Sequence, residues 1–202
     1  MKNLKFNYFV DIATQLFMSS SIAEVTIKDI AMEAEVGEAT LYRYFGKKQT
    51  IVLMVAMKLQ EQTNQEYFNL KEEKTGFDKL KAFYESYFRI FSDHPNYYNF
   101  IRDFDAYMAN EGKEELVEYE NGIDVYKNIF LEAYELGLKD GTVRQIEDIE
   151  MFYFSTAHSL LELCKKLSMN NGLLTQDRTI EKTKEIECLV HIFLNSLKPL
   201  CV

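Results

Sequence analysis

Thr26-Ile27-Lys28-Asp29-Ile30-Ala31-Met32-Glu33-Ala34-Glu35-Val36-Gly37-Glu38-Ala39-Thr40-Leu41-Tyr42-Arg43-Tyr44-Phe45-Gly46-Lys47-Lys48 is the stretch that decides how the chain is read. Thr26 can cap the start of a helix, Asp29 stands at the third helical position, and Ile27, Ile30, Ala31 and Ala34 recur at helical spacing. They predict a short helix. Glu35-Val36-Gly37 reads as a tight break, and Ala39 to Phe45 suits a helix of about two turns in which Leu41 and Phe45, four apart, face inward. Two short helices joined by a short turn, the second with an exposed N-terminal half, have the geometry of a unit that places a helix in the DNA major groove.

Outward from this stretch the pattern stays helical. Phe6, Phe9, Val10, Ala13, Leu16 and Phe17 put one apolar face on a helix from about Asn3 to Met18. Lys47-Lys48 opens a long fourth helix that continues past Tyr67. Five further segments follow, at 77–92, 95–109, 114–138, 148–169 and 178–197, punctuated by Gly76, Pro95, Gly112, Gly141 and Gly172. The expectation is an all-α fold of about nine helices. Residues 1–48 form a helix-turn-helix domain and 49–202 a larger helical domain, the long fourth helix joining them. With 202 residues the chain is long enough for a sizeable core, and its 2 prolines interrupt little.

Charge is unevenly placed. The net charge is −9, yet residues 1–58 hold 7 Lys+Arg against 6 Asp+Glu, so the acidic excess lies in the rest of the chain. Only the N-terminal part suits a polyanion. No apolar run approaches the ~18 to 20 residues of a membrane span, and no signal-like core follows Met1, so a cytoplasmic protein is expected, without membrane association. Cys164, Cys188 and Cys201 are odd in number and far apart, which argues against disulfides or a zinc site and for buried free thiols. His94, His158 and His191 fall in no metal-ligand spacing, and neither a phosphate loop nor a nucleophile elbow is present. An enzyme, a cofactor and a metal are therefore not expected.

Thr26-Ile27-Lys28-Asp29-Ile30-Ala31, Ala34-x-Val36, Thr40-Leu41-Tyr42-Arg43-Tyr44-Phe45 and Lys48 resemble, in order and spacing, the DNA-binding segment of the TetR family of repressors. Ala13-Thr14-Gln15-Leu16-Phe17 resembles that family's first helix, and Gly137 to Arg144 the turn that often follows its seventh. The resemblance implies that Thr26, Tyr42 and Lys48, with Lys47 beside it, hold phosphates, while Lys28, Glu38, Thr40, Arg43 and Tyr44 lie near base edges. Hydroxyls and an ammonium at helix N-termini suit phosphate oxygens, and arginine suits guanine. Tyr42 or Tyr44 as core, and Lys47 or Lys48 as a solvated helix end, are the structural alternatives. The chain departs from the family where Glu35 replaces a turn glycine, Gly37 a Ser or Thr cap, Glu38 a basic or small residue, and Ser21 a glycine.

Residues 77–154 are rich in aromatic side chains. Tyr84, Tyr87, Phe88, Phe104, Tyr107, Tyr126 and Phe130 are the expected wall of an effector cavity, with plain core as the other reading. The acidic balance favours a lipophilic cation over an anion, a neutral fatty or aromatic compound standing close behind. Ile186, Leu189, Val190, Phe193 and Leu197 on the last helix, with Ser159 on the one before, form stripes suited to a four-helix homodimer contact, although periodicity fits an intrachain core equally. The resulting expectation is a repressor that a small apolar or amphipathic molecule releases from double-stranded operator DNA. A TetR-like helical adaptor without a transcriptional role is the alternative, motivated by Glu35 and Glu38.

Overall fold

In the computed structural model, residues 2–111, 116–169 and 179–199 are described. Gly112, Gly172 and Cys201, and the expected starts of helices at 114 and 178, lie outside them. Among the described residues there are nine α-helices and no strand: α1 (Lys2–Ser19), α2 (Ile27–Glu33), α3 (Glu38–Phe45), α4 (Lys48–Tyr67), α5 (Gly76–Asp93), α6 (Tyr97–Glu111), α7 (Val117–Asp140), α8 (Ile149–Leu167) and α9 (Lys182–Leu197). The all-α fold follows the periodicity closely, helix ends differing from the expected ones by a few residues.

Packing gathers the chain into two compact units. One comprises Met1–Gln62 with Asn96–Gly122, the other Thr63–Pro95 with Ile123–Val202. The expected division at Lys48 follows sequence motif. The packed units divide the chain elsewhere, and both α4 and α7 contribute residues to each.

In the first unit, α2 begins with a reciprocal cap. The Asp29 amide donates to Thr26 Oγ1 at 3.2 Å, and the Thr26 amide donates to Asp29 Oδ2 at 2.8 Å. Each satisfies a backbone donor that a helix start leaves without a partner. The turn after α2 places Glu35 at φ +53, and the Val36 amide closes it on the Ala31 carbonyl at 2.9 Å. Left-handed backbone favours glycine, so a glutamate here costs about 1 kcal/mol. Leu41 and Phe45 are buried from α3, and Gly46, at φ +73, ends it. Phe45 meets Phe6 of α1 with ring centroids 4.9 Å apart. The α6 helix belongs to the same unit and packs on α1.

In the second unit α5, α8 and α9 pack on one another. Where α7 ends, Asp140 Oδ2 accepts from the Gly76 amide at 2.8 Å, and Thr142 Oγ1 accepts from the Phe77 amide at 3.1 Å, so the turn caps the start of α5 from outside. Hydrogen bonds from Thr142 and Gly76 hold the Asp140 carboxyl below its ordinary range. A β-carbon built on Gly76 would lie 2.0 Å from the Gly137 nitrogen, so the two backbones touch where α5 meets α7. Arg144 fastens the same turn to the end of α9, its Nε donating to the Ser196 carbonyl at 2.6 Å.

Cysteine burial corrects one expectation. Cys164 is buried, but Cys188 is exposed because it falls on the outward side of α9, off the Ile186–Val190–Leu194–Leu197 stripe. No helix among the described residues is long and apolar enough to cross a membrane.

Candidate nucleic-acid interface and effector cleft

The helix pair α2–α3 presents the residues that the sequence singles out. Inward burial of Leu41 and Phe45 turns Glu38, Ala39, Tyr42 and Arg43 to solvent, with Thr40 and Tyr44 half-buried at the edges of that face. Tyr42 is 49% exposed, too open for a core ring. Tyr44 is the opposite case: its ring packs edge-on against Phe9 at 5.3 Å, and Arg43 lies 6.0 Å from its centroid. Lys28 and Lys47 are exposed.

Two of the expected phosphate ligands are already engaged within the chain. The Thr26 hydroxyl donates to Asp29 Oδ2 at 2.6 Å while serving as the α2 cap. The Lys48 ammonium donates to the Ile22 carbonyl and lies 5.4 Å from the Tyr107 ring centroid. Hydrogen bonds from Thr26 are the main cause of a lowered Asp29 pKa, with Lys28 and Lys48 adding their charges. The Lys48 side chain thus ties the loop before α2 to the start of α4, a role its position in the motif does not disclose. Gly37 caps α3 without a side-chain hydrogen bond. It leaves the first amides of α3 without the oxygen that a serine or threonine would supply.

The expected effector wall divides between the units. Phe104 and Tyr107 belong to the first, where Phe104 stacks with Phe100 and meets Tyr119 at 4.9 Å. Tyr84, Tyr87, Phe88, Tyr126 and Phe130 belong to the second. There Tyr84 and Phe130 are fully buried, their centroids 5.9 Å apart, and the Tyr84 hydroxyl and Thr156 Oγ1 share a hydrogen bond at 2.8 Å. These two rings are core. Burial pushes the Tyr84 and Tyr87 phenols well above the ordinary tyrosine value and that of Tyr153 up to about 12, so all three remain neutral hydrogen-bonding groups.

Sequence reasoning missed a cleft of about 440 Å³ in the second unit, of the size that small molecules occupy. Phe68, Leu70, Ile129 and Ala133 supply apolar surface, and Asn64, Gln65, Asn69, Lys71, Lys79 and Glu132 supply polar surface. Phe68 connects it to the expected wall, its ring lying 4.7 Å from Tyr126 and 5.8 Å from Tyr87. The available signal is the run of amides near the end of α4; a search for clustered rings passes over it.

On α9 the structure reverses much of the expected interface stripe. Ile186, Val190 and Leu197 are buried in the chain's own core, Leu189 is half-buried, and Phe193 packs on Tyr84 at 5.5 Å. Residues that already fill the interior add no area to a partner. The open side of α8 and α9 instead carries Ser159, Met151 (60% exposed), Phe154 and Ile192 (57% exposed).

An all-helical chain whose first unit carries an α2–turn–α3 pair with an outward face on α3 has the architecture of a helix-turn-helix protein. Residues 9–55 match the family model for bacterial regulatory proteins, tetR family. The described chain has the all-helical fold of those regulators. A transcriptional regulator from Cytophaga hutchinsonii superimposes with a TM-score of 0.71 at 18% identity, covering 96% of this chain and 99% of that one. The TetR family regulator PfmR from Thermus thermophilus gives 0.68 at 15% identity, covering 95% and 99%. FadR from Bacillus subtilis in complex with stearoyl-CoA gives 0.66 at 16% identity, again covering 95% and 99%. No curated protein matches the sequence.

Proposed function

We propose that the chain is a ligand-responsive transcriptional regulator that represses by binding duplex operator DNA through α3 and is released by a small apolar or amphipathic molecule. The single observation that carries this reading is the outward face of α3, with Glu38, Tyr42 and Arg43 exposed while Leu41 and Phe45 anchor the helix from behind. Arg43 has the donors to read guanine acceptors, Tyr42 and Lys47 reach phosphates, and Thr40 stands at the edge of the face. Lys28 at the start of α2 adds a cation. Lys48 and Thr26 serve mainly to hold the pair of helices in place.

Selection of bound duplexes from a random pool tests the reading. The wild-type chain is expected to enrich one sequence. Lys47→Ala should weaken binding to all duplexes alike and lower the salt slope by about one, whereas Arg43→Ala should change the enriched bases. Recovery of an unenriched pool by the wild type would refute DNA recognition.

The effector is assigned to the cleft over Phe68, Leu70 and Ile129, with Tyr87 and Tyr126 behind it and Lys71, Lys79 and the amides at its rim. Its mixed lining suits an amphipathic guest, the kind of molecule that stearoyl-CoA is for the Bacillus subtilis FadR. Operator and effector must then weaken each other's binding by the same factor.

The homodimer is assigned to the open side of α8 and α9, where Met151, Phe154, Ser159 and Ile192 are exposed. Helix pairs from two copies bury such a face as a four-helix contact. Ile192→Glu should yield monomers by sedimentation with unchanged helix content, while Ile186→Glu should unfold the chain, since Ile186 is buried within it. A dimeric Ile192→Glu protein would place the interface elsewhere.

A further inference from the structure

Resting on the reading of α3 as a DNA-facing helix, we propose that Glu38 selects a cytosine in the operator. Glu38 is the first residue of α3, is exposed, and shares the outward face with Tyr42 one turn later and with Arg43. Among the described residues no side chain pairs with its carboxylate. The first turn of a recognition helix is the part that comes nearest the base edges. A carboxylate carried there is repelled by phosphates on every duplex and gains only where a base offers it a donor.

Major-groove chemistry narrows that donor to one base. Guanine presents two acceptors and thymine an acceptor beside a methyl group, so both disfavour a carboxylate. Adenine presents an amino group next to the acceptor N7, which suits an amide better than an anion. Cytosine presents its N4 amino group without a neighbouring acceptor on its own edge, and a glutamate accepts from it. The missing side-chain cap at Gly37 leaves Glu38 at the leading end of the helix, with no longer side chain ahead of it to shield the carboxylate. A carboxylate in a first helical turn also favours the helix itself, a role that a stability measurement reads and a base preference does not.

The test uses the full chain as wild type, Glu38→Ala and Glu38→Gln, each first compared for helix content and melting. Duplexes are selected from a random pool, and the enriched duplex then competes against one in which a single C·G pair is changed to T·A. The wild type is expected to enrich a cytosine at a defined position and to prefer it by about tenfold. In Glu38→Ala that preference should fall to about twofold or less, other positions staying as they were, and in Glu38→Gln it should move toward adenine. A cytosine preference retained by Glu38→Ala, or an enriched base at the Glu38-dependent position other than cytosine, overturns the assignment while leaving DNA recognition intact. Failure of the wild type to enrich any sequence overturns DNA recognition itself and this inference with it.

Discussion

Replacing Gly76 with alanine should destabilise the protein by about 3 kcal/mol or more and lower its melting temperature by roughly 10 °C. The added β-carbon meets the Gly137 nitrogen at 2.0 Å, the Gly137 α-carbon at 2.2 Å and the Ala133 carbonyl oxygen at 2.6 Å, all of them backbone atoms of α7. A side chain can swing aside, but a helix backbone must translate. Translating α5 away from α7 would also pull the Gly76 and Phe77 amides from Asp140 and Thr142. Gly137→Ala presses instead on the methyl groups of Val143, 2.7 and 3.0 Å away, and should cost less, about 1 to 2 kcal/mol. Calorimetric melting of both variants checks the order as well as the size. A Gly76→Ala protein that melts with the wild type would show that α5 and α7 do not meet backbone to backbone.

Phe45→Ala should cost about 3 to 5 kcal/mol and abolish operator binding together with the fold of the N-terminal unit. Phe45 is buried, and its ring meets Phe6 at 4.9 Å, Tyr44 at 6.3 Å and Phe9 at 6.5 Å. With Tyr44, which meets Phe9, it is a residue through which α3 leans on α1. Removing the ring leaves a cavity behind the very helix whose outward face is the proposed contact with DNA. Chemical denaturation and duplex binding, measured on the same preparation, should fall together. Stability lost with full operator affinity retained would mean that α3 is held by other contacts.

The α2–α3 pair is legible in the sequence because several local rules agree there. Thr26 and Asp29 announce a cap, the spacing of Ile27, Ile30 and Ala31 announces a face, and Leu41 and Phe45 announce another. The structure reproduces all three. Tyr42 and Tyr44 are not separable by spacing, since both adjoin the buried stripe; only the position of Phe9 shows that Tyr44 is half core. From sequence Lys48 reads as a solvated cation or a phosphate ligand, because its partner, the Ile22 carbonyl, is 26 residues away in the chain. The α9 helix illustrates the same limit. Its apolar stripe is plain, but periodicity fixes a face and not what covers it, and the cover is the chain itself over Ile186, Val190 and Leu197. The cleft beside Phe68 is illegible because it arises from a gap between α4, α5 and α7 residues, and gaps leave no periodic mark.

The order in which the two packed units draw on the chain bears on how the molecule is made. The polypeptide changes unit after Gln62, after Pro95 and after Gly122, three times in all. A ribosome that has released the first 62 residues has delivered the whole helix-turn-helix segment but none of α6, the helix against which α1 packs. The first unit is complete only at residue 122, by which point α5 has emerged without α8 or α9 to cover it. The first unit cannot finish before part of the second has been made, unlike successive domains, which commonly fold one after the other during synthesis. An expressed fragment ending near residue 62 should therefore be a poor surrogate for the first unit, and grafting that segment onto another protein would require carrying α6 with it.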